Sequence, residues 1–190
     1  MILYGSTTSP YVRRIRLLLT EIEHEFVNLD IFSGPGRDIL RAKNPTLKVP
    51  MLEDGELMIY DSRVIFRYLC KKFQQPSLTW EQENLLTLID AANDSFVQLL
   101  ILSRSNIEFD PEVLVFRLQS ERLENLLWLL NEEVENGSFE DWDYLSISLY
   151  CLVDWVDFRE LADLEAYPAL VDFWHKHKNT INVEATDPRM

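Results

Sequence analysis

Three short stretches in the first third of the chain combine residue types suited to holding a thiol and a peptide-like anion. The first is Ser9-Pro10-Tyr11-Val12. A hydroxyl residue before proline marks a helix start, with Ser9 at the N-cap and Pro10 at the first helical position, where an N–H is not needed. A serine hydroxyl there can donate a hydrogen bond to a thiolate, and the helix dipole adds about 0.3–1 kcal/mol in favour of negative charge. A free thiol titrates near ~8.5, so each unit of lowering brings nearly tenfold more thiolate at neutral pH. The plainer reading of Ser9 is a helix cap and nothing more.

The second stretch is Asn44-Pro45-Thr46-Leu47-Lys48-Val49-Pro50-Met51-Leu52. A proline entering a strand removes a ladder donor. With the Val49-Pro50 bond cis, Val49 would offer its backbone N–H and C=O to a peptide-like ligand as an added strand, and Lys48 would meet a carboxylate. The plainer reading is a loop-to-strand turn. The third stretch is Asp61-Ser62-Arg63-Val64-Ile65. Ser62 and free N–H groups at a helix start suit a carboxylate, while Asp61 either accepts from an amino group or caps the helix.

Regular elements must position these residues. Met1 to Tyr4 reads as a buried strand, Ser9 onward as a helix, and Glu25 to Leu29 as a second strand. Ser33 to Gly36 reads as a loop and Arg37 to Lys43 as a short helix. Apolar runs on either side of Asp54-Gly55 form a hairpin, and Asp61 caps a further helix. The order β-α-β-α-β-β-α is the thioredoxin-like plan. After Pro76 the strands stop. Trp80 to Arg104, Pro111 to Glu135, Asp141 to Phe158 and Pro168 to Lys176 carry helical periodicity, and the tail after Lys178 is polar and irregular. The expected domains are residues 1–75, an α/β thioredoxin-like unit, and residues 79–190, an all-α helical bundle.

Charge follows the same division. The chain of 190 residues carries a net charge of -14. Through residue 75 there are 11 Lys+Arg against 9 Asp+Glu, and the remainder has 7 against 23. Such an acidic chain does not suit nucleic acid. No uninterrupted apolar run approaches the ~20 residues of a membrane span, and the start lacks a signal-peptide pattern, so a cytoplasmic protein without a membrane partner is expected. Cys70 and Cys151 have no metal-ligand or CxxC spacing and read as buried, inert thiols; no metal is expected. Arg13, Arg14 and Arg16 cluster on the first helix. They read as solvated charges paired with Glu21 or Glu23, or else as a surface for an anion or for an acidic partner domain.

Taken together on these elements, the three stretches resemble the glutathione site of the cytosolic glutathione transferases. The Ser9-Pro10-Tyr11-Val12-Arg13 start is similar to a bacterial subgroup with Ser-Pro-Phe/Tyr-Val-Arg. Residues 151–159 and Tyr167-Pro168-Ala169-Leu170 to Trp174 resemble that subgroup's helical domain. The resemblance implies that Ser9 holds the glutathione sulfur, Val49 with Pro50 pairs the cysteinyl backbone, Asp61 and Ser62 hold the γ-glutamyl end, and Lys48 meets the glycyl carboxylate. It implies glutathione as co-substrate, a small electrophile as second substrate, an acceptor pocket near Ser6 to Thr8, Tyr11 and Leu100 to Arg104, a homodimer, and a role in detoxification. The alternative is a non-catalytic regulatory protein of the stringent-starvation type with the same fold. Two departures stand out. Leu47 replaces the usual glycine before lysine. The helical domain's usual Ser/Thr-x-x-Asp capping box is read at Ser146-Ile147-Ser148-Leu149, where leucine stands in the acidic position.

Overall fold

The computed structural model describes every residue from Met1 to Met190 and divides into two compact units. The first comprises Met1–Leu78 together with Asn179–Met190; the second is Thr79–Lys178.

The first unit is built on four strands, β1 (Ile2–Gly5), β2 (Glu25–Asn28), β3 (Met51–Asp54) and β4 (Leu57–Tyr60), in the order β2-β1-β3-β4. β1 and β2 run parallel, while β1–β3 and β3–β4 are antiparallel. Three helices accompany the sheet: α1 (Pro10–Leu18), α2 (Gly34–Lys43) and α3 (Ser62–Lys72). α2 starts earlier than the sequence suggests, because Pro35 fits the first turn and Gly34 takes a left-handed φ of 62° just before it. Alternation along the strands sorts the core into two layers. Tyr4 and Met51 pack with Leu29 and Leu40 of α2. Leu3, Leu52 and Ile59 are aligned across the sheet and point to the opposite face. Gly5 lets α1 approach the end of β1: a Cβ there would lie 2.5 Å from a methyl of Val12.

The polar tail does not belong to the helical unit, where the reading of residues 79–190 had put it. Arg13 is 3% exposed. Its side chain donates to the Val183 carbonyl at 3.0 Å and to Thr186 Oγ1 at 3.2 Å. Arg16 reaches the Ala185 carbonyl at 3.3 Å and lies over the Phe26 ring. Glu184–Thr186 forms one 3-10 turn at this contact. Arg14 is fully buried and lies over the Tyr11 ring. The expectation of solvated arginines paired with Glu21 or Glu23 therefore fails for Arg13 and Arg14, because both are buried, and the partners of Arg13 come from a sequence-distant segment.

The second unit is helical: α4 (Trp80–Arg104), α5 (Leu114–Glu135), α6 (Tyr144–Phe158) and α7 (Pro168–His177). α4 is long and apolar enough by composition to cross a membrane, with 33% of its most apolar window buried, and it packs against α5 and α6. A reciprocal Thr79–Gln82 capping box starts it. α6 is the central helix, buried continuously from Tyr144 to Val156. Its cap corrects the sequence reading. Asp143 is the N-cap, accepting from the N–H groups of Leu145 at 2.9 Å and Ser146 at 3.0 Å. The cap thus lies three residues earlier than expected, with the acidic residue in the cap position, and it is one-sided, since Ser146 Oγ bonds to nothing in return. Leu149 is a core residue inside the helix. At the start of α7, Asn131 of α5 accepts from the N–H groups of Ala169 and Leu170, capping that helix from a distance.

Candidate functional site

The register of the sheet decides where the three stretches meet. Tyr4 of β1 lies opposite Met51 of β3, and Met51 lies opposite Tyr60 of β4. From Tyr4 the chain continues to Ser9. It reaches Met51 through Lys48-Val49-Pro50, and it leaves Tyr60 into Asp61-Ser62. All three stretches therefore emerge at one end of the sheet.

At Ser9, Oγ accepts from the N–H of Val12 at 3.3 Å, so the residue does cap α1. A hydroxyl holds one donor and two acceptor sites, so capping through a lone pair leaves the O–H free to donate elsewhere. Capping and anion binding are compatible at this residue. The Ser6-Thr7-Thr8 loop before it is held by Thr7 N–H on Asn28 Oδ1 at 3.2 Å and by a Ser6–Thr8 hydroxyl contact at 3.1 Å.

The Val49-Pro50 bond is cis. Val49 packs its side chain against the core layer under α2, and its backbone lies outside the strand ladder, which starts at Met51. Pro50 is buried and the Lys48 side chain is exposed. The loop is organised by Asn44, which the sequence reading quoted without giving it a role. Asn44 is 1% exposed. Its Nδ2 donates to the Lys48 carbonyl at 2.7 Å, while Oδ1 accepts from the Thr46 N–H and hydroxyl. A buried amide bonding to its own following loop was the available signal. Leu47 has φ 57°, the left-handed region that favours glycine, so the substitution noted in the sequence sits where a side chain costs most.

Asp61 also has a left-handed φ, 73°, and its Oδ1 accepts from the N–H groups of Arg63 at 2.9 Å and Val64 at 3.2 Å. These bonds use two of the donors expected at this helix start and leave the N–H of Ser62 and the second carboxylate oxygen of Asp61. Ser62 is 3% exposed. A non-glycine residue held at positive φ costs roughly 1–3 kcal/mol and points to a position constrained by its surroundings.

A polar cluster on the same sheet face steadies the loop. Tyr4 donates to Glu53 Oε2 at 2.8 Å, and Lys43 Nζ meets the same oxygen at 2.6 Å. Lys43 foremost, and then the Tyr4 hydroxyl, hold the Glu53 carboxyl below its usual range. Burial first, then the bond to Glu53, raises the Tyr4 phenol. Nothing in this cluster is a free acid or base. It anchors the end of α2, from which the 44–50 loop departs. Asp54 is likewise bound, by Tyr68 at 2.6 Å and by Lys72. No group of three or more His, Cys, Asp or Glu side chains is arranged to hold a metal ion. Cys70 and Cys151 are buried and form no disulfide, and burial raises the Cys70 thiol, away from reactivity.

Residues 3–77 match the family model described as glutathione S-transferase, N-terminal domain. The chain is 30% identical over 165 residues to a probable glutathione S-transferase, GSTF2, of Oryza sativa subsp. japonica, covering 78% of this chain and 75% of that protein. The chain belongs to the glutathione S-transferase family. Among solved structures, a glutathione S-transferase of Methylobacillus flagellatus KT with GSH bound superimposes with a TM-score of 0.83 at 23% identity, covering 98% of both chains. A family member from Pseudomonas fluorescens Pf-5 with bound glutathione gives 0.77 at 24% identity, again over 98% of both. At these identities the likeness establishes the fold. A glutathione-transferase fold, a thioredoxin-like α/β unit followed by a helical one, is what the sequence reading expected.

Proposed function

We propose that this chain binds glutathione at the Tyr4–Met51–Tyr60 end of its sheet and activates the thiol for attack on a small electrophile. The observation that carries the reading is the shared end of the sheet, where the start of α1, the approach to β3 and the start of α3 come together. Ser9 is the proposed catalytic residue. Its hydroxyl hydrogen faces the thiolate while its lone pair keeps the cap, and stabilising the thiolate raises its share at neutral pH. Val49 pairs with the cysteinyl backbone beside Pro50. Ser62, through its hydroxyl and N–H, takes the γ-glutamyl carboxylate, and the free oxygen of Asp61 takes the amino group. Lys48 meets the glycyl carboxylate. The Ser-Pro-Tyr-Val-Arg start supports placing the chain in the serine subgroup of bacterial enzymes.

The reading extends to a homodimer in the cytoplasm with a role in detoxification. The non-catalytic alternative drew on an apparently missing capping box, and Asp143 supplies that cap. The acidity of residues beyond 75 is what remains in its favour.

Calorimetric titration with glutathione, followed by turnover of an activated aryl halide, tests the proposal. Saturable binding is expected, weakened by about 1–3 kcal/mol in Ser62→Ala. Ser9→Ala should lower turnover far more than affinity. Silence at millimolar glutathione, with intact folding, would move the assignment to the non-catalytic alternative.

A further inference from the structure

After Lys178 the chain returns to the first unit, and residues 179–190 lie there as a strap. A polar terminal segment stays loose unless something ties it down. Here Val183 is 2% exposed and Thr186 5% exposed, and Pro188 is buried as well. Asp187 folds the far end back on itself, accepting from the Arg189 N–H at 2.8 Å and from its guanidinium at 3.0 Å.

The strap grips the first turn of α1. Val12 donates its N–H to Ser9 Oγ, and Arg13 donates its own N–H to the Ser9 carbonyl at 3.0 Å. The Arg13 side chain then reaches out of that turn, with Nη2 on the Val183 carbonyl and Nε on the Thr186 hydroxyl. Thr186 directs its own hydrogen towards the carbonyls of Asn182 and Val183, 2.9 and 3.1 Å away, so a lone pair is left for the arginine. Arg16, one turn along the same face, holds the Ala185 carbonyl. Val12 packs against Gly5 from about 100° further round the helix, at 3.6 residues per turn. Sheet and strap therefore hold α1 from two different sides. A guanidinium presents its donors in one rigid plane, so this anchor fixes the angle of the helix as well as its place.

We propose that the C-terminal strap positions Ser9 against the glutathione thiol, with Arg13 and Thr186 as positioning residues. The inference rests on the role proposed for Ser9. Both residues act through a single turn of helix, since the backbone bond from Arg13 ends on Ser9 itself. A misplacement of about 1 Å at a reacting group can cost on the order of 100-fold in rate. Loosening this turn weakens the bond from the Ser9 hydroxyl to the thiolate, while Val49 and Ser62, on other elements, keep their hold on the rest of the ligand. The strap thus governs kcat and leaves the KM for glutathione nearly alone.

The test is Thr186→Val in the full chain, beside the wild type and Thr186→Ser. Valine keeps the shape of threonine and removes the acceptor. The quantities read are the pKa of the bound glutathione thiol, from thiolate ultraviolet absorbance, kcat and KM with an activated aryl halide, and amide exchange at Val12 and Arg13. Thr186→Val should raise the thiol pKa, lower kcat roughly tenfold with KM for glutathione changed by less than about twofold, and speed exchange at both amides. Thr186→Ser should restore all of these. If Thr186→Val fails to fold, Arg16→Gln, which removes one bond at the less buried edge of the strap, should move the same quantities in the same direction by less; no movement there would overturn the proposal. A working wild type with unchanged thiol pKa and kcat in Thr186→Val overturns this inference alone. A fall in kcat at unchanged thiol pKa overturns it too, because general destabilisation would then be the cause. A wild type silent towards glutathione overturns the site reading itself, and this inference with it.

Discussion

The hydroxyl of Tyr60 donates to the backbone carbonyl of Lys43 at 3.0 Å. It ties the last residue of β4 to the last residue of α2, and so fixes both the start of the 44–50 loop and the turn into Asp61. Tyr60→Phe should cost about 0.5–1.5 kcal/mol, the net worth of one such bond. Urea unfolding checks the cost, and glutathione titration should show weaker binding. Unchanged values for both would mean that water serves the Lys43 carbonyl equally well.

Leu47 offers a test of backbone conformation. A left-handed φ costs an L-residue roughly 1–2 kcal/mol, and glycine escapes this cost while gaining freedom in the unfolded chain. At an exposed position with little packing to lose, Leu47→Gly should be neutral or stabilise by up to ~1 kcal/mol. Leu47→Val, branched at Cβ, should destabilise. The reverse order in denaturant midpoints would mean that the leucine side chain makes contacts worth more than the strain.

The cap of α6 separates two assignments of the same motif. Asp143→Ala should cost about 0.5–2 kcal/mol. Leu149→Asp, which would restore an acid three residues after Ser146, should instead unfold the helical unit, because Leu149 is 0% exposed and a carboxylate there has no partner. Circular dichroism melts distinguish the two. A folded Leu149→Asp protein would contradict the Asp143 cap.

His177 predicts a pH dependence. It is 6% exposed, stacked on Trp142 at 4.5 Å and beside Phe173, with Nε2 buried and unpartnered. Burial, then the neighbouring Lys176, lower its pKa from 6.5. A lowered folded pKa means that the unfolded chain takes up the proton first. The stabilising contribution is complete above about pH 6.5 and is lost as pH falls through the folded value. Unfolding measured at pH 7.5 and 5.5 should show a larger loss for the wild type than for His177→Phe. Parallel losses would show that carboxylates, rather than this ring, set the slope.

The parts of the fold legible in the sequence are those whose causes are local. Ser9-Pro10 caps and opens a helix within a few residues, and Asp54-Gly55 turns a hairpin through Gly55 at φ 62°. The neighbourhood of Ser9, Val49 and Ser62 was legible only through resemblance, since it depends on strand register across segments far apart in sequence. What escaped detection was non-local or a matter of frame. Asp143 and Ser146 both precede apolar runs, and only the helix start shows which one caps. Arg13 looked solvated because its partners follow some 170 positions later. His177 gave no local signal, because its companion Trp142 lies outside α7.

That long span has a temporal side. A ribosome adds about 5–20 residues per second, so Arg13 emerges roughly 10–30 s before Val183 and Thr186 exist. Throughout that interval water must solvate its guanidinium, and the groove beside α1 stays open. The helical unit, encoded between the two pieces, can collapse in the meantime. The unit that begins synthesis first is therefore completed last, and a nascent chain stalled before residue 183 would display an arginine-lined surface that the finished protein conceals.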